Sequence, residues 1–112
     1  MRIAIAITSN ATEIFSGPFG HAPFFAIYEK LDDGWRRIEL RDNPYKTLEG
    51  GGKGRLLSRL LADCHLWLGT QFGHESESEQ SQLNRGVPLE RLRRIGAGSR
   101  LEEVLALLED TS

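Results

Sequence analysis

Cys64 and three histidines, His21, His65 and His74, are the side chains of this 112-residue chain that offer the thiolate or imidazole donors an iron-sulfur or other soft-metal cluster needs. One cysteine is too few for a cluster held by four thiolates, which leaves a preassembled cluster, a site shared between subunits, or no metal. His21 lies in S-G-P-F-G-H-A-P, residues 16–23, a turn-rich segment that ends abruptly in the β-prone run Phe24-Phe25-Ala26-Ile27-Tyr28. It reads as a binding loop held by a strand. His74 opens a serine and glutamate run, His74 to Gln82, that contains no apolar residue and reads as a solvated face, either a weak exposed helix or a mobile loop. A third element is Glu49-Gly50-Gly51-Gly52-Lys53-Gly54-Arg55, where backbone N–H groups before a helix, together with Lys53, can hold an anion. It is not a nucleotide-binding P-loop, because Gly54 follows Lys53 where Ser or Thr is required, and Thr47 stands in place of the first glycine. A flexible turn from strand to helix explains the same glycines equally well.

Several chemistries are disfavoured from the outset. Fourteen basic and sixteen acidic residues give a net charge of −2, so no basic field exists to hold a nucleic-acid backbone. Two-metal phosphoryl transfer needs clustered carboxylates, yet Ile3-Ala4-Ile5-Ala6-Ile7 carries none, and Glu13 in the following loop cannot replace a cluster. No nucleophile elbow or dinucleotide fingerprint is present, and a noncatalytic protein is expected. The opening apolar run is too short for a secretory or membrane-spanning segment, and the lone cysteine excludes an intrachain disulfide, which together predict a soluble cytoplasmic protein.

The elements that must position these residues follow from periodicity. Ile3 to Ile7 reads as a central strand buried on both faces. Phe24 to Lys30 and Trp35 to Leu40 flank Asp32-Asp33-Gly34, a hairpin signal, and Asn43-Pro44 stops the third strand. Leu56, Leu57, Leu60 and Leu61 recur at helical spacing and predict a helix of about ten residues running toward Ala62. Leu66-Trp67-Leu68 follows as a buried strand, and a short edge strand is expected around Arg91 to Ile95. Ser99-Arg100-Leu101-Glu102 forms a capping box before a helix from Arg100 to Glu109. The length suits one domain over residues 1–112. The order β-β-β-α-β-α-β-α predicts an α/β fold, a mixed five-stranded sheet with flanking helices, if strand four joins strand one through a right-handed parallel crossover. In that arrangement the loops after strands one, three and four open at one edge, carrying Thr8 to Ala22, Glu49 to Gly54, and Gly69 to Glu75. Cys64 and His65 would lie at the opposite end, as a core thiol and a structural or solvated imidazole.

Taken together, M-R-I-A-I, then S-G-P-F-G-H-A-P-F-F-A-I-Y, then N-P and G-G-G-K-G resemble the dinitrogenase iron-molybdenum cofactor biosynthesis proteins, almost end to end. Leu83-Asn84-Arg85-Gly86-Val87 and Ile95-Gly96-Ala97-Gly98 sit where that family places its G-V strand and its final helix. The resemblance implies a ribonuclease-H-like three-layer fold and an accessory protein that binds, carries or protects iron-sulfur or iron-molybdenum clusters, bound transiently, alongside nitrogenase or iron-sulfur assembly proteins. Two departures stand out. Pro18 occupies the position where the family commonly has a histidine before Phe-Gly, and Gly69-Thr70-Gln71-Phe72-Gly73 leads into the serine and glutamate run instead of a small-residue helix.

The sequence thus predicts a noncatalytic cluster carrier using His21, His74, Gly51, Gly52, Lys53 and Gly54, with the two histidines as metal ligands. It is expected to bind neither nucleic acid nor membrane, and to be a monomer or a weak homodimer through an unpaired strand edge. The alternative is a metal-free interaction or regulatory module on the same fold, favoured by the two departures.

Overall fold

The structure, a computed structural model, describes residues 1–10, 13–48, 53–71, 92–96 and 100–110. Its centre is β1 (Arg2–Ile7), in which every residue from Ile3 to Ile7 is fully buried, as an uninterrupted apolar strand demands. Antiparallel β2 (Phe24–Leu31) and then β3 (Gly34–Asp42) lie on one side, parallel β4 (Leu66–Gly69) and β5 (Leu92–Arg94) on the other. The order across the sheet is β3-β2-β1-β4-β5. Two helices, α1 (Lys53–Leu60) and α2 (Leu101–Asp110), pack on its opposite faces, so the expected mixed five-stranded α/β architecture is observed.

Strand alternation divides the core by size. Ala4 and Ala6 face α1, and the room they leave is filled by the rings of Phe25, Trp67 and Phe19 beneath Leu57 and Leu61. Ile3, Ile5 and Ile7 face the other way and pack with Leu68, Ala26 and Tyr28 against Val104 and Leu108 of α2. The turn lies one residue earlier than a D-G turn would place it: Leu31 pairs with Gly34, so Asp32 and Asp33 form the two-residue loop, and Gly34 takes the φ of 129° that a side chain would resist. Past this hairpin the register slips by one residue, Tyr28 pairing with Arg37 and Ile27 with Glu39.

A charge network clamps α1 to the edge strand β3. Arg41 grips both carboxylate oxygens of Glu39, at 2.9 and 2.7 Å, and donates to Asp63 at 2.9 Å and to the carbonyl of Leu60 at 2.7 Å. The last contact satisfies a carbonyl of the final helical turn, which has no partner within the helix. Arg2 completes the network on Asp63 at 2.9 Å. The hydrogen bond from Arg41 holds the Asp63 carboxyl well below the usual carboxylate range, with Arg2 adding to the effect against the opposing cost of burial. Because the folded-state value is depressed, the stabilisation is present above the unfolded-state value near pH 4 and is lost as pH falls below it. Asp63 is 35% exposed, so solvent screening reduces the effect, and Asp63→Asn should cost about 1–2 kcal/mol at neutral pH. Urea denaturation of both proteins at pH 7 and pH 2.5 checks this: the gap between them should narrow at the lower pH.

Candidate functional site

Three loops converge at the end of the sheet where β1, β3, β4 and β5 finish and β2 begins. The chain leaving β1 turns back through Thr8 N–H to the Glu13 carbonyl at 2.8 Å, and Ile14 pairs with Ile7. It then crosses to the end of β4. There the Thr70 hydroxyl, almost wholly buried, reaches the carbonyls of Phe15 at 3.2 Å and Gly17 at 3.4 Å. The Gln71 side chain donates to the Ser16 carbonyl at 3.3 Å, and the backbone N–H of Phe19 donates to the Gln71 carbonyl at 2.7 Å. Pro18, with its fixed φ, enters a single 3-10 turn, Phe19–His21, that abuts α1.

That turn carries an anchor and a functional candidate two residues apart. The Phe19 ring is fully buried, stacked on Trp67 at 5.4 Å and on Phe25 at 4.8 Å between centroids. Only glycine fits beneath it, since a Cβ on Gly69 would lie 2.9 Å from the ring edge. The His21 ring faces the loop after β3, with Nδ1 2.7 Å from the carbonyl of Lys46. A carbonyl accepts only, so Nδ1 carries the proton, and in the neutral ring Nε2 carries a lone pair that can accept a hydrogen bond or ligate a metal.

Asn43 fastens the two loops to each other. Its fully buried side-chain amide donates to the carbonyls of Gly20 at 3.0 Å and Ala22 at 2.8 Å, while its oxygen accepts the N–H of Tyr45 at 3.0 Å. The Asn43 backbone N–H adds a bond to Pro23 at 3.1 Å. The sequence marks Asn43 as the stop of a strand and as part of the N-P motif, with no sign of its fastening role. A polar residue just before proline was the available signal, but its acceptors lie more than twenty residues away.

Of the residues expected at this edge, His21 is there. Lys53 and Gly54 were expected in a loop before the first helix; the backbone shows them as the first two residues of α1. His74, Gly51 and Gly52 fall outside the described residues, as do the serine and glutamate run and Ser99 of the capping box. Cys64 and His65 lie at the opposite end, before β4, where the His65 N–H donates to the Arg2 carbonyl at 2.7 Å. Burial pushes the Cys64 thiol up to about 12, with the Asp63 carboxylate adding to the effect, which leaves it a neutral core residue and a poor ligand. Among the described residues no group of three or more His, Cys, Asp and Glu side chains could hold a metal ion. No described helix is long and apolar enough to cross a membrane.

Comparison with known proteins gives two findings. A family model described as "Dinitrogenase iron-molybdenum cofactor" matches residues 1–109. The fold is similar to the NMR structure of a NifB-like protein from Thermotoga, with a TM-score of 0.58 and 19% identity over 96% of this chain and 87% of that one. No curated protein matches the chain in a sequence search.

Proposed function

Because the chain belongs to the dinitrogenase iron-molybdenum cofactor family, we propose that it is a noncatalytic carrier that binds an iron-sulfur or iron-molybdenum-type cluster at the convergent edge, with His21 as a ligand. The observation that carries this reading is the hydrogen bond from His21 Nδ1 to the Lys46 carbonyl, which presets the ring for ligation through Nε2. Asn43 and Phe19 hold the turn from both sides, so ligation would cost little ordering entropy. A single imidazole suits cargo better than a resident group, because a preassembled cluster brings most of its own ligands. The noncatalytic part rests on β1, the centre of the edge, which contributes no carboxylate. The delivery partners would be nitrogenase or iron-sulfur assembly proteins.

The test is anaerobic incubation of the purified apoprotein with iron-molybdenum cofactor, followed by desalting, elemental analysis and a visible spectrum. The wild type should retain iron and molybdenum, and His21→Ala should retain at least roughly tenfold less, as expected when a ligand is removed. His65→Ala, at the opposite end, should behave as wild type. A second reading has its own observation: Pro18, where the family commonly has histidine, is engaged in a backbone bridge with Gln71. A wild type that retains no metal would overturn the carrier reading in favour of a metal-free interaction module.

A further inference from the structure

We infer that Arg94 is a second binding residue of the convergent edge, one that offers its guanidinium to an anionic ligand there. The inference takes from the carrier reading only the location of the ligand. Arg94 is the last residue of β5, paired with Gly69. Leu92, two residues before it, packs into the α1-side core, so by alternation Arg94 lies on that same face, where Phe19 covers Gly69.

The guanidinium is held by design of the backbone. Its Nε donates to the carbonyl of Thr70 at 3.1 Å, and Thr70 is itself pinned by its hydroxyl to the Phe15 and Gly17 carbonyls. Spending Nε on this anchor leaves the two terminal nitrogens, with their four N–H donors, for another acceptor. No carboxylate among the described residues pairs with Arg94, in contrast to Arg2 and Arg41, which are both engaged by acids. The positive charge at this end of β5 is therefore not neutralised within the described protein. His21 reaches toward Lys46 on the β3 side of Phe19, and Arg94 reaches toward Thr70 on the β4 side. The neighbouring Arg93 points to the opposite face by the same alternation and supplies an internal control.

The experiment compares wild type, Arg94→Gln, Arg94→Lys and Arg93→Gln in two assays. The first is the retention of iron-molybdenum cofactor described above. The second is an NMR titration of the apoprotein with tetrathiomolybdate, a sulfide-bearing anion that reads charge recognition independently of cluster ligation, with the starting spectra verifying the fold of each variant. Arg94→Gln should weaken tetrathiomolybdate binding by about tenfold, the loss of one partly exposed charge-assisted contact, and should lower cofactor retention. Arg94→Lys should fall between, and Arg93→Gln should stay within about twofold of wild type, because it removes the same charge from the wrong face. Equal effects of the two glutamine variants, or no effect of either, would overturn the inference. If the wild type retains cofactor and Arg94→Gln retains as much, the assignment of Arg94 falls while the carrier reading stands. If the wild type retains no cofactor yet binds tetrathiomolybdate through Arg94, the carrier reading falls and the anion site stands. Absence of both overturns both.

Discussion

Phe19→Ala should lower the unfolding free energy by about 3–5 kcal/mol, a loss normally associated with the centre of a core, although Phe19 belongs to a surface loop. The reason is that the loop has lent its ring to the core. Phe19 is fully buried between Trp67 and Phe25, and both rings lose a stacked partner on truncation. The space left cannot close easily, because Ala4 and Ala6 of the same cluster carry only methyl groups, which cannot swing in. Domains of this size hold about 5–15 kcal/mol in total, so the alanine variant will sit near the edge of folding. Phe19→Leu, which keeps most of the volume, should lose only about 1–1.5 kcal/mol and supplies a folded variant for comparison. The opposite insult, Gly69→Ala, drives a Cβ to 2.9 Å from the same ring and should cost about 1–3 kcal/mol, since a ring stacked on both sides cannot yield. Urea unfolding followed by the fluorescence of Trp67, in a Trp35→Phe background, measures all three. A Phe19→Ala loss below about 1 kcal/mol would mean that the turn holds without its anchor, and that His21 is positioned by hydrogen bonds alone.

How much of this was legible in the sequence depends on the range of the interaction. β1 announced itself because a strand buried on both faces must be apolar at every position, a purely local requirement. The hairpin and α2 were legible for the same reason, from β-prone runs around an Asp-Gly pair and from an apolar stripe at helical spacing. Convergence of the loops followed once β4 was assigned as parallel to β1, and the parallel pairing of Ile3 with Leu66 bears that out. The polar fastenings were not legible. Asn43 bonds to residues near 20, Thr70 to residues near 16 and Arg41 to Asp63, each across a separation that leaves no local pattern. Arg94 is the extreme case, because its place depends on where β4 ends, and nothing in its three-residue strand marks it. The glycines misled in a different way. Gly54 signals backbone freedom, yet α1 begins one residue before it, because packing of Leu57 and Leu61 outweighs a propensity cost of about 1 kcal/mol.

The same argument identifies the substitution expected to be most damaging for its size, Asn43→Asp, which exchanges one NH₂ for an oxygen. In the wild type one side of the buried side chain donates to two carbonyls, those of Gly20 and Ala22, and the other accepts from Tyr45. An introduced carboxylate would keep the second contact and would set its remaining oxygen against both carbonyls, with no water to screen the repulsion. The folded protein therefore has to bind a proton there, and even the protonated form, with a single O–H, can serve only one of the two acceptors. Burial together with repulsion raises the folded-state value of the new carboxyl above the unfolded-state value of about 3.9. The sign follows directly. Below pH 4 both states are protonated and the variant should lack only about 1–2 kcal/mol, the cost of one unsatisfied carbonyl. As pH rises from 4 toward the raised value the unfolded state ionises first, and the deficit should grow to about 4 kcal/mol or more at neutral pH. Denaturation at a series of pH values would show the two proteins diverging as acid is withdrawn above pH 4, a window in which the deficit of Asp63→Asn no longer changes. A deficit that stays constant with pH would mean that the loop opens to hydrate the carboxylate, so that residues 20–22 can detach from the sheet without unfolding it. In that event His21 would not be held in place before its ligand arrives, and the preset ring geometry at the centre of the carrier reading would have to form on binding instead.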